Sequence, residues 1–449
     1  MKQDTIAAIA TAPGQGGIGI IRISGQQAEQ ILRDIFVPSG KHQAMMQSHQ
    51  LTYGRVVDGE EMVDECMAVI MRAPASYTRE DVAELQIHGG TQVLRRVLGL
   101  CLQRGARLAD PGEFTRRAFI NGRIDLSRAE AVMSLISARG EQEQRAAVRQ
   151  MAGGTADFVR EVSDELYTLQ AGLAACIDYP EEISDEEGAG NLKSGLEKII
   201  EKLRMSVDER SSRLIHDGLH VTLFGIPNAG KSSILNALTG QEKAIVTEIP
   251  GTTRDTVEGE ILIDGIRVYL TDTAGMRKTD DPIERIGVER SEMARQNADI
   301  ALLILDSSRG ITEEETGWLR ELQEQDAVVI NKSDLQQQIT QDTIESIRPG
   351  MRCMTVSALD AESLRPIREY FRECAEVSDQ LVLTQPRHLD AVKRAVSFMQ
   401  DALRTLDIYT PDMAATDLQA AQNALSEITG DCADEKLLDT VFSAFCVGK

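Results

Sequence analysis

The stretch GIPNAGKSS, residues 225–233, follows a short apolar run and precedes a segment with a helical pattern. It matches the pattern G-x-x-x-x-G-K-[ST] in the strand-loop-helix context that this phosphate-binding loop requires. Such a loop directs backbone N–H groups at phosphate oxygens, and the start of the following helix adds positive potential. Glycine-rich turns also occur for backbone reasons alone. The stretch predicts an α/β nucleotide-binding domain in which Lys231 contacts the β- and γ-phosphates and Ser232 binds Mg²⁺.

Three more motifs follow in order along the chain. DTAG, residues 272–275, comes after a strand-like run and supplies a carboxylate near Mg²⁺ and a backbone N–H for the γ-phosphate. NKSD, residues 331–334, lies at the predicted carboxyl edge of the sheet, where open α/β sheets bind ligands. Asp334 can accept hydrogen bonds from the N1–H and 2-amino groups of guanine, and adenine offers no such pair. With SAL, residues 357–359, closing the base pocket, the motifs predict a GTPase.

The four motifs define most of the predicted contacts with GTP. These are Asn228, Ala229, Gly230, Lys231, Ser232, Ser233, Asp272, Thr273, Ala274, Gly275, Asn331, Lys332, Ser333, Asp334, Ser357, Ala358 and Leu359. Small signalling GTPases place a glutamine directly after the DTAG-type motif, where it orients the attacking water. Here that residue is Met276, which cannot hold a water, so we expect a carboxylate of the following segment, residues 278–287, to do so.

Length and charge limit the remaining possibilities. A chain of 449 residues exceeds what one core usually holds, so two to four domains are expected. We find no apolar run of the roughly 18 residues that a membrane span needs, so no membrane association is predicted. The net charge of -23 argues against a broad basic surface for nucleic acid, and the acidic excess lies beyond residue 120. RNA would have to be bound at a local site or through a partner.

The seven cysteines show no zinc-site spacing, and their odd number in a large chain favours the reducing cytoplasm. Cys446 stands in the terminal sequence FCVGK, residues 445–449. A prenylation box is disfavoured, because the last residue is lysine and aromatic residues precede the cysteine. Two alternatives stay open for Cys446: a buried residue that completes a packed helix, and a nucleophile.

The distribution of apolar residues predicts three kinds of structure. In residues 1–118, strand-like runs alternate with helical ones, which predicts an α+β domain. Residues 119–216 and 377–449 have helical spacing and predict an all-α domain. Residues 217–376 alternate short strands with helices, which predicts an α/β P-loop GTPase domain inserted into the helical one.

Taken together, these motifs and three further blocks closely resemble the MnmE (TrmE) family of bacterial tRNA-modification GTPases. The blocks are DTIAAIATAPGQGGIGIIRISG at residues 4–25, PGEFTRRAFINGRIDLSRAEAV at residues 111–132, and the terminal FCVGK. The GTPase motifs alone identify only a superfamily, whereas the N-terminal blocks and the C-terminal Cys-x-Gly-Lys are specific to the family. The resemblance covers the whole chain.

The resemblance implies a homodimer that binds a one-carbon tetrahydrofolate, either 5,10-methylene- or 5-formyl-tetrahydrofolate, in its N-terminal domain. The implied folate contacts are Arg22, Glu84, Arg123 and Lys449. At Arg123 other members often have lysine, so the charge is kept but the geometry of the donor differs. The family works with an FAD-dependent MnmG-type flavoprotein, in a heterotetramer, on the wobble uridine of certain tRNAs.

The resemblance also implies a replacement for the missing glutamine. The family's GTPase domains dimerise when K⁺ binds, and a glutamate, here Glu284, positions the attacking water. The implied K⁺ ligands are Asn228, Thr247, Ile249 and Thr252, and Thr253 joins Ser232 as a ligand of Mg²⁺. The predicted GTP contacts of this loop are Thr247, Glu248, Ile249, Pro250, Gly251, Thr252 and Thr253.

Two other classes of function remain to be weighed. A K⁺-dependent ribosome-assembly or RNA-binding GTPase would share the P-loop and Met276, but the chain has a single NKSD and no basic RNA-binding tail. A scaffold without catalysis is disfavoured, because every nucleotide motif is intact. The nucleoside profile of tRNA from a deletion strain would separate these classes.

Overall fold

The computed structural model describes residues 4–39, 46–178, 185–240, 259–272, 298–377, 383–408 and 411–448. The chain separates into two compact units. The first unit comprises Met1–Ile136, Val148–Glu201 and Ala391–Lys449, and the second comprises Ser137–Ala147 and Lys202–Asp390. The predicted boundaries at residues 118, 216 and 376 stay a prediction.

The first unit contains a seven-stranded sheet in the order β3-β4-β5-β6-β2-β1-β7. Its strands are β1 Ile6–Ile9, β2 Gly16–Ser24, β3 Phe36–Pro38, β4 Thr52–Asp58, β5 Glu61–Met71, β6 Val82–Gly89 and β7 Arg107–Leu108. Neighbouring strands are antiparallel except for the parallel pair β1 and β7. The helix Ala28–Ile35 buries Ala28, Ile31, Leu32 and Ile35, whose spacing puts all four on one face, and it packs against this sheet.

Among the described residues, the ranges 119–216 and 377–449 are mainly helical, as predicted, and other helices accompany the strands elsewhere. They are Thr91–Gln103, Glu113–Ile120, Leu126–Ser137, Glu141–Ala152, Gly154–Asp178, Asp185–Met205, Glu209–His216, Lys231–Thr239, Glu313–Glu321, Gln341–Ile347, Arg365–Cys374, Pro386–Ile408, Pro411–Thr429 and Glu435–Ser443. In the first unit, Gly154–Asp178 and Pro411–Thr429 pack along each other. Among the helices that the structure describes, none combines the length and the apolar character needed to cross a membrane.

The second unit contains a six-stranded sheet in the order β13-β12-β11-β8-β10-β9. Its strands are β8 Leu219–Phe224, β9 Gly259–Ile263, β10 Ile266–Asp272, β11 Ile300–Asp306, β12 Ala327–Asn331 and β13 Cys353–Thr355. All are parallel except β9, which pairs with β10 through a hairpin turn at Asp264 and Gly265. Every residue of β11 is buried, as expected for a parallel strand covered on both faces. The predicted fold class is confirmed.

Candidate nucleotide site and a second polar cluster

The phosphate-binding loop lies between β8 and the helix Lys231–Thr239, in the predicted context. Gly225 and Gly230 have φ values of 145° and 96°, which favour glycine. A Cβ at Gly230 would lie 2.1 Å from Nδ2 of Asn331, and a Cβ at Gly225 would lie 2.4 Å from the Ile304 carbonyl oxygen. The backbone of this loop therefore depends on the absence of side chains at two positions.

Lys231 is buried within the loop that it is predicted to serve. Its Nζ donates hydrogen bonds to the carbonyl oxygens of Gly225, at 3.0 Å, and Ile226, at 3.2 Å. Burial lowers the pKa of the Lys231 ammonium, while the nearby Asp272 carboxylate opposes that shift. A bound phosphate would supply the negative charge that this buried ammonium lacks.

The residues predicted to lie near Mg²⁺ meet at the end of β10. The Ser232 hydroxyl donates a 2.5 Å hydrogen bond to Oδ2 of Asp272. Oδ1 of Asp272 is buried and has no hydrogen-bond partner among the described residues. A hydroxyl beside a carboxylate with one unused oxygen fits Mg²⁺, which prefers oxygen ligands and uses few protein groups when phosphates supply the others. Within the described ranges, no group of three or more His, Cys, Asp or Glu side chains is arranged so that it could hold a metal ion.

Asn331 links three of the sequence motifs. Its Nδ2 donates to the carbonyl oxygen of Ala229 in the phosphate-binding loop, at 2.9 Å, and its Oδ1 accepts from the backbone N–H of Ala358 at 3.1 Å. The Ser357 hydroxyl donates to Oδ1 of Asp334 at 2.5 Å. The phosphate-binding loop, NKSD and SAL thus form one hydrogen-bonded group at the carboxyl edge of the sheet, which we call the nucleotide site.

Several other predicted contacts lie at or near this site. Ser333 donates its backbone N–H to the Val356 carbonyl oxygen, at 3.0 Å. Asn228 has a φ of 64°, so a residue other than glycine holds a left-handed conformation within the loop. Ser233 follows in the first turn of the helix, and Leu359 is 87% exposed.

Asp306 is a contact of the nucleotide site that the sequence analysis missed. It ends β11 directly opposite Asn331 in the parallel register, and its Oδ2 accepts a 2.6 Å hydrogen bond from Nζ of Lys332. Burial raises the pKa of Asp306, but hydrogen bonds from Lys332 and Ser308 outweigh that effect and leave the pKa below its ordinary value. The available signal was an aspartate ending a wholly apolar run, IALLILD, at the predicted ligand edge.

Part of the predicted site lies outside the described residues. This holds for Thr247, Glu248, Ile249, Pro250, Gly251, Thr252, Thr253, Thr273, Ala274, Gly275, Met276, Glu284 and Lys449. The implied K⁺ loop, the water-positioning glutamate and one folate contact therefore stay predictions.

A second polar cluster forms on the sheet of the first unit. Arg22 on β2 stands directly opposite Glu84 on β6, and its Nε donates a 2.7 Å hydrogen bond to Oε1 of Glu84. The same guanidinium donates through Nη1 to the carbonyl oxygen of Gly448, at 3.2 Å. The C-terminal segment is therefore held by Arg22, which also pairs with Glu84, and the family resemblance implied both residues as folate contacts.

Aromatic rings complete this cluster. The guanidinium carbons of Arg22 and Arg123 lie 5.8 Å and 4.6 Å from the ring centroid of Tyr77, and Arg22 also lies 5.7 Å from that of Phe114. These distances suit cation–π attraction. We call Arg22, Tyr77, Glu84, Phe114, Arg123 and Gly448 the Arg22 cluster. Nothing in the local sequence singles out Tyr77 or Phe114.

Cys446 is exposed, and its aromatic neighbours occupy the core. Phe442 and Phe445 are buried in an apolar cluster with Leu126. The carbonyl oxygen of Cys446 accepts a 3.4 Å hydrogen bond from the backbone N–H of Gly112. The backbone at Cys446 is therefore anchored while its side chain is accessible, and whether it reacts stays a prediction.

Comparison with known proteins finds relatives over nearly the whole chain. Residues 5–123 match the family model described as the GTP-binding protein TrmE N-terminus, and residues 126–446 match the MnmE helical domain. The protein named tRNA modification GTPase MnmE of Alkaliphilus oremlandii is 41% identical over 460 residues, which is 99% of each chain. Those of Symbiobacterium thermophilum and Clostridioides difficile are 42% and 40% identical, over 100% and 99% of each chain. The solved G domain of the T. maritima FeoB iron transporter covers 35% of this chain and 99% of its own, with 26% identity and a TM-score of 0.28.

Proposed function

This chain belongs to the MnmE family of tRNA modification GTPases, and on that premise we propose that it couples GTP hydrolysis to modification of the wobble uridine of tRNA at C5. The group added is aminomethyl or carboxymethylaminomethyl, and the reaction is shared with an FAD-dependent MnmG-type partner. One observation carries the GTPase part: Asn331 joins the phosphate-binding loop to the NKSD and SAL segments by direct hydrogen bonds.

Different described residues have different roles in GTP binding and hydrolysis. Lys231 and the N–H groups of its loop hold the phosphates, and Asp334 reads guanine while Ser357 fixes the orientation of its carboxylate. Ser232 and Asp272 would hold Mg²⁺, which neutralises charge on the β- and γ-phosphate oxygens. Asn228 belongs to the proposed K⁺ site.

The Arg22 cluster has the chemistry to bind a one-carbon tetrahydrofolate. Guanidinium groups of Arg22 and Arg123 suit the carboxylates of a folate, and the faces of Tyr77 and Phe114 suit its pterin ring. Glu84 accepts hydrogen bonds and can pair with ring N–H groups. The donor is 5,10-methylene- or 5-formyl-tetrahydrofolate, bound by each subunit of a homodimer.

Potassium dependence tests the proposed hydrolysis mechanism. A monovalent cation near Asn228 supplies positive charge where negative charge develops, and Glu284 positions the water that Met276 cannot. We expect faster GTP turnover in K⁺ than in Na⁺ at equal ionic strength, measured as phosphate release. Equal rates in the two salts contradict the proposed cation site.

Reconstitution tests the modification itself. The purified chain, an MnmG-type flavoprotein, GTP, K⁺, a methylene-tetrahydrofolate and tRNA should yield modified wobble uridine, detected in the digested nucleosides. We expect Cys446→Ser to abolish that product while GTP turnover stays near the wild-type rate, because the exposed thiol lies in the segment held by Arg22. Normal modification by the variant contradicts a catalytic role for Cys446. A ribosome-assembly GTPase would be favoured instead if the wild-type chain leaves tRNA unmodified in this assay and a deletion strain still has normally modified wobble uridine.

A further inference from the structure

The last residue of β11 and the two residues after it, 306–308, hold the start of the NKSD segment. The backbone N–H of Ser307 donates to the carbonyl oxygen of Asn331 at 3.0 Å, and the Ser307 hydroxyl donates to the carbonyl oxygen of Lys332 at 2.9 Å. Nζ of Lys332 in turn donates to Oδ2 of Asp306 at 2.6 Å. Lys332 is therefore held at its backbone and at the end of its side chain by one short segment.

The Asp306 carboxylate is itself fixed. Its Oδ1 accepts hydrogen bonds from the hydroxyl of Ser308, at 2.6 Å, and from the Ser308 backbone N–H, at 3.0 Å. The Asp306 side chain is only 12% exposed, whereas the Lys332 side chain is 32% exposed. A buried carboxylate with both oxygens engaged has little freedom, so it is the fixed member of the pair and Lys332 is the member that it holds.

The backbone of Lys332 also requires support. Its φ is 62°, a left-handed conformation that costs free energy for a residue other than glycine. Lys332 stands between Asn331, which is bonded to the phosphate-binding loop, and Asp334, which is bonded to Ser357. The conformation of Lys332 thus sets the positions of the two residues that border the base pocket.

We propose that Asp306 is a positioning residue of the guanine-nucleotide site, which anchors the ammonium of Lys332 and so holds the Asn331–Asp334 segment in its binding conformation. The inference rests on the proposed GTP binding. Asp306 acts on the base side of the nucleotide, because the hydrogen bonds of its side chain run to Lys332 and Ser308 and not to the phosphate-binding loop. GTP and GDP should therefore depend on Asp306 to the same extent.

Nucleotide binding by Asp306→Asn in the full-length chain tests the proposal. We expect the Kd values for GTP and GDP to rise together by about tenfold, as the loss of a charge-assisted hydrogen bond predicts, through faster dissociation. Turnover at saturating GTP should stay within about twofold of the wild type, because the base contacts are alike in ground and transition states. An unchanged Kd, or a loss confined to GTP, overturns the proposal. Failure of the wild-type chain to bind GTP would instead overturn the proposed function.

Asp326→Asn is the matched control for loss of a buried carboxylate. Asp326 is 7% exposed and accepts hydrogen bonds from the backbone N–H groups of Ala301, at 2.8 Å, and Gln323, at 2.7 Å. It precedes β12 at the opposite end of the same two strands, away from the carboxyl edge. We expect a lower Tm with unchanged nucleotide Kd. If this variant weakens nucleotide binding as much as Asp306→Asn does, the effect is general destabilisation and the proposal is wrong.

A double-mutant cycle with Lys332→Met decides whether Asp306 acts through Lys332. Methionine removes the ammonium and keeps an unbranched stem of similar length. In the Lys332→Met background, Asp306→Asn should cost less than about twofold in GDP affinity. A full tenfold loss in that background contradicts the mechanism. If Asp306→Asn does not fold, Ser308→Ala removes the hydroxyl hydrogen bond to Oδ1 of Asp306 and leaves the one from the Ser308 backbone N–H. It should raise both Kd values about threefold, and no change there overturns the proposal.

Discussion

The nucleotide site and the Arg22 cluster are built in opposite ways. The nucleotide site collects residues from the ends of parallel strands, where each side chain follows directly from a strand and its turn. The Arg22 cluster lies across antiparallel strands and is completed by a chain segment 426 positions away along the sequence, at Gly448. The first depends on local backbone geometry, and the second on the docking of distant segments. Different substitutions should therefore weaken ligand binding at the two sites.

The largest effect should come from a single methyl group in the nucleotide site. Gly230→Ala places a Cβ 2.1 Å from Nδ2 of Asn331 at a φ of 96°. Strain of about 3 kcal/mol predicts a loss of roughly 100-fold or more in GTP affinity. Gly317→Ala is the control, because a Cβ there meets nothing within 4 Å. GTP affinity within about threefold of wild type would show that the loop adapts.

The second effect is one of nucleotide selectivity. Asp334→Asn replaces one acceptor oxygen with an amide donor, which suits the 2-oxo group of xanthine and not the 2-amino group of guanine. We expect the preference for GTP over XTP to fall by roughly 30-fold, equivalent to about 2 kcal/mol. Competition binding with both nucleotides measures this ratio. A preference for GTP over XTP equal to that of the wild type would show that Asp334 does not contact the base.

These two predictions concern features that the sequence alone indicates. The phosphate-binding loop and the hairpin at Asp264 and Gly265 are fixed by glycines and neighbouring residues, so a local pattern predicts them. Asp306 and Tyr77 could not be predicted in this way. Their roles arise from strand register and from packing between segments far apart in the sequence. The run IALLILD indicates that Asp306 ends a buried strand but not that it pairs with Lys332, and nothing local marks Tyr77.

A smaller effect is expected in the Arg22 cluster, where the structure assembles distant segments. Gly448 has a φ of 97°, and a Cβ there would lie 2.3 Å from the carbonyl oxygen of Ile9. Gly448→Ala should therefore displace the terminal segment from Arg22. We expect about tenfold weaker binding of 5-formyl-tetrahydrofolate, measured by calorimetry, with unchanged GTP affinity.

Gly99→Ala is the control for this variant, because a Cβ at Gly99 meets nothing within 4 Å in the same unit. It should bind the folate as the wild type does. If Gly448→Ala also keeps full folate affinity, the terminal segment does not contribute to the site. If it weakens GTP binding as well, the two sites are not independent and the contrast between them fails.

The smallest effect tests whether charge pairs between distant segments stabilise the first unit. Glu29 accepts hydrogen bonds from Arg72 and Arg33, and these, with the Arg72 bond the larger cause, lower the pKa of its carboxyl from 4.5 to about 2. A lowered pKa stabilises the folded state above the unfolded pKa, and this contribution is lost as the pH falls from about 4.5 to about 2.

We expect Glu29→Gln to lower the free energy of unfolding at pH 7 by only about 1 kcal/mol, because solvent screens the charge pair. In urea titrations the difference between Glu29→Gln and wild type should shrink steadily below pH 4.5. Glu60→Gln, at an exposed position, is the control and should leave the free energy of unfolding at pH 7 near that of wild type. A difference between Glu29→Gln and wild type that is independent of pH would mean that packing of the side chain, and not its charge, accounts for the loss.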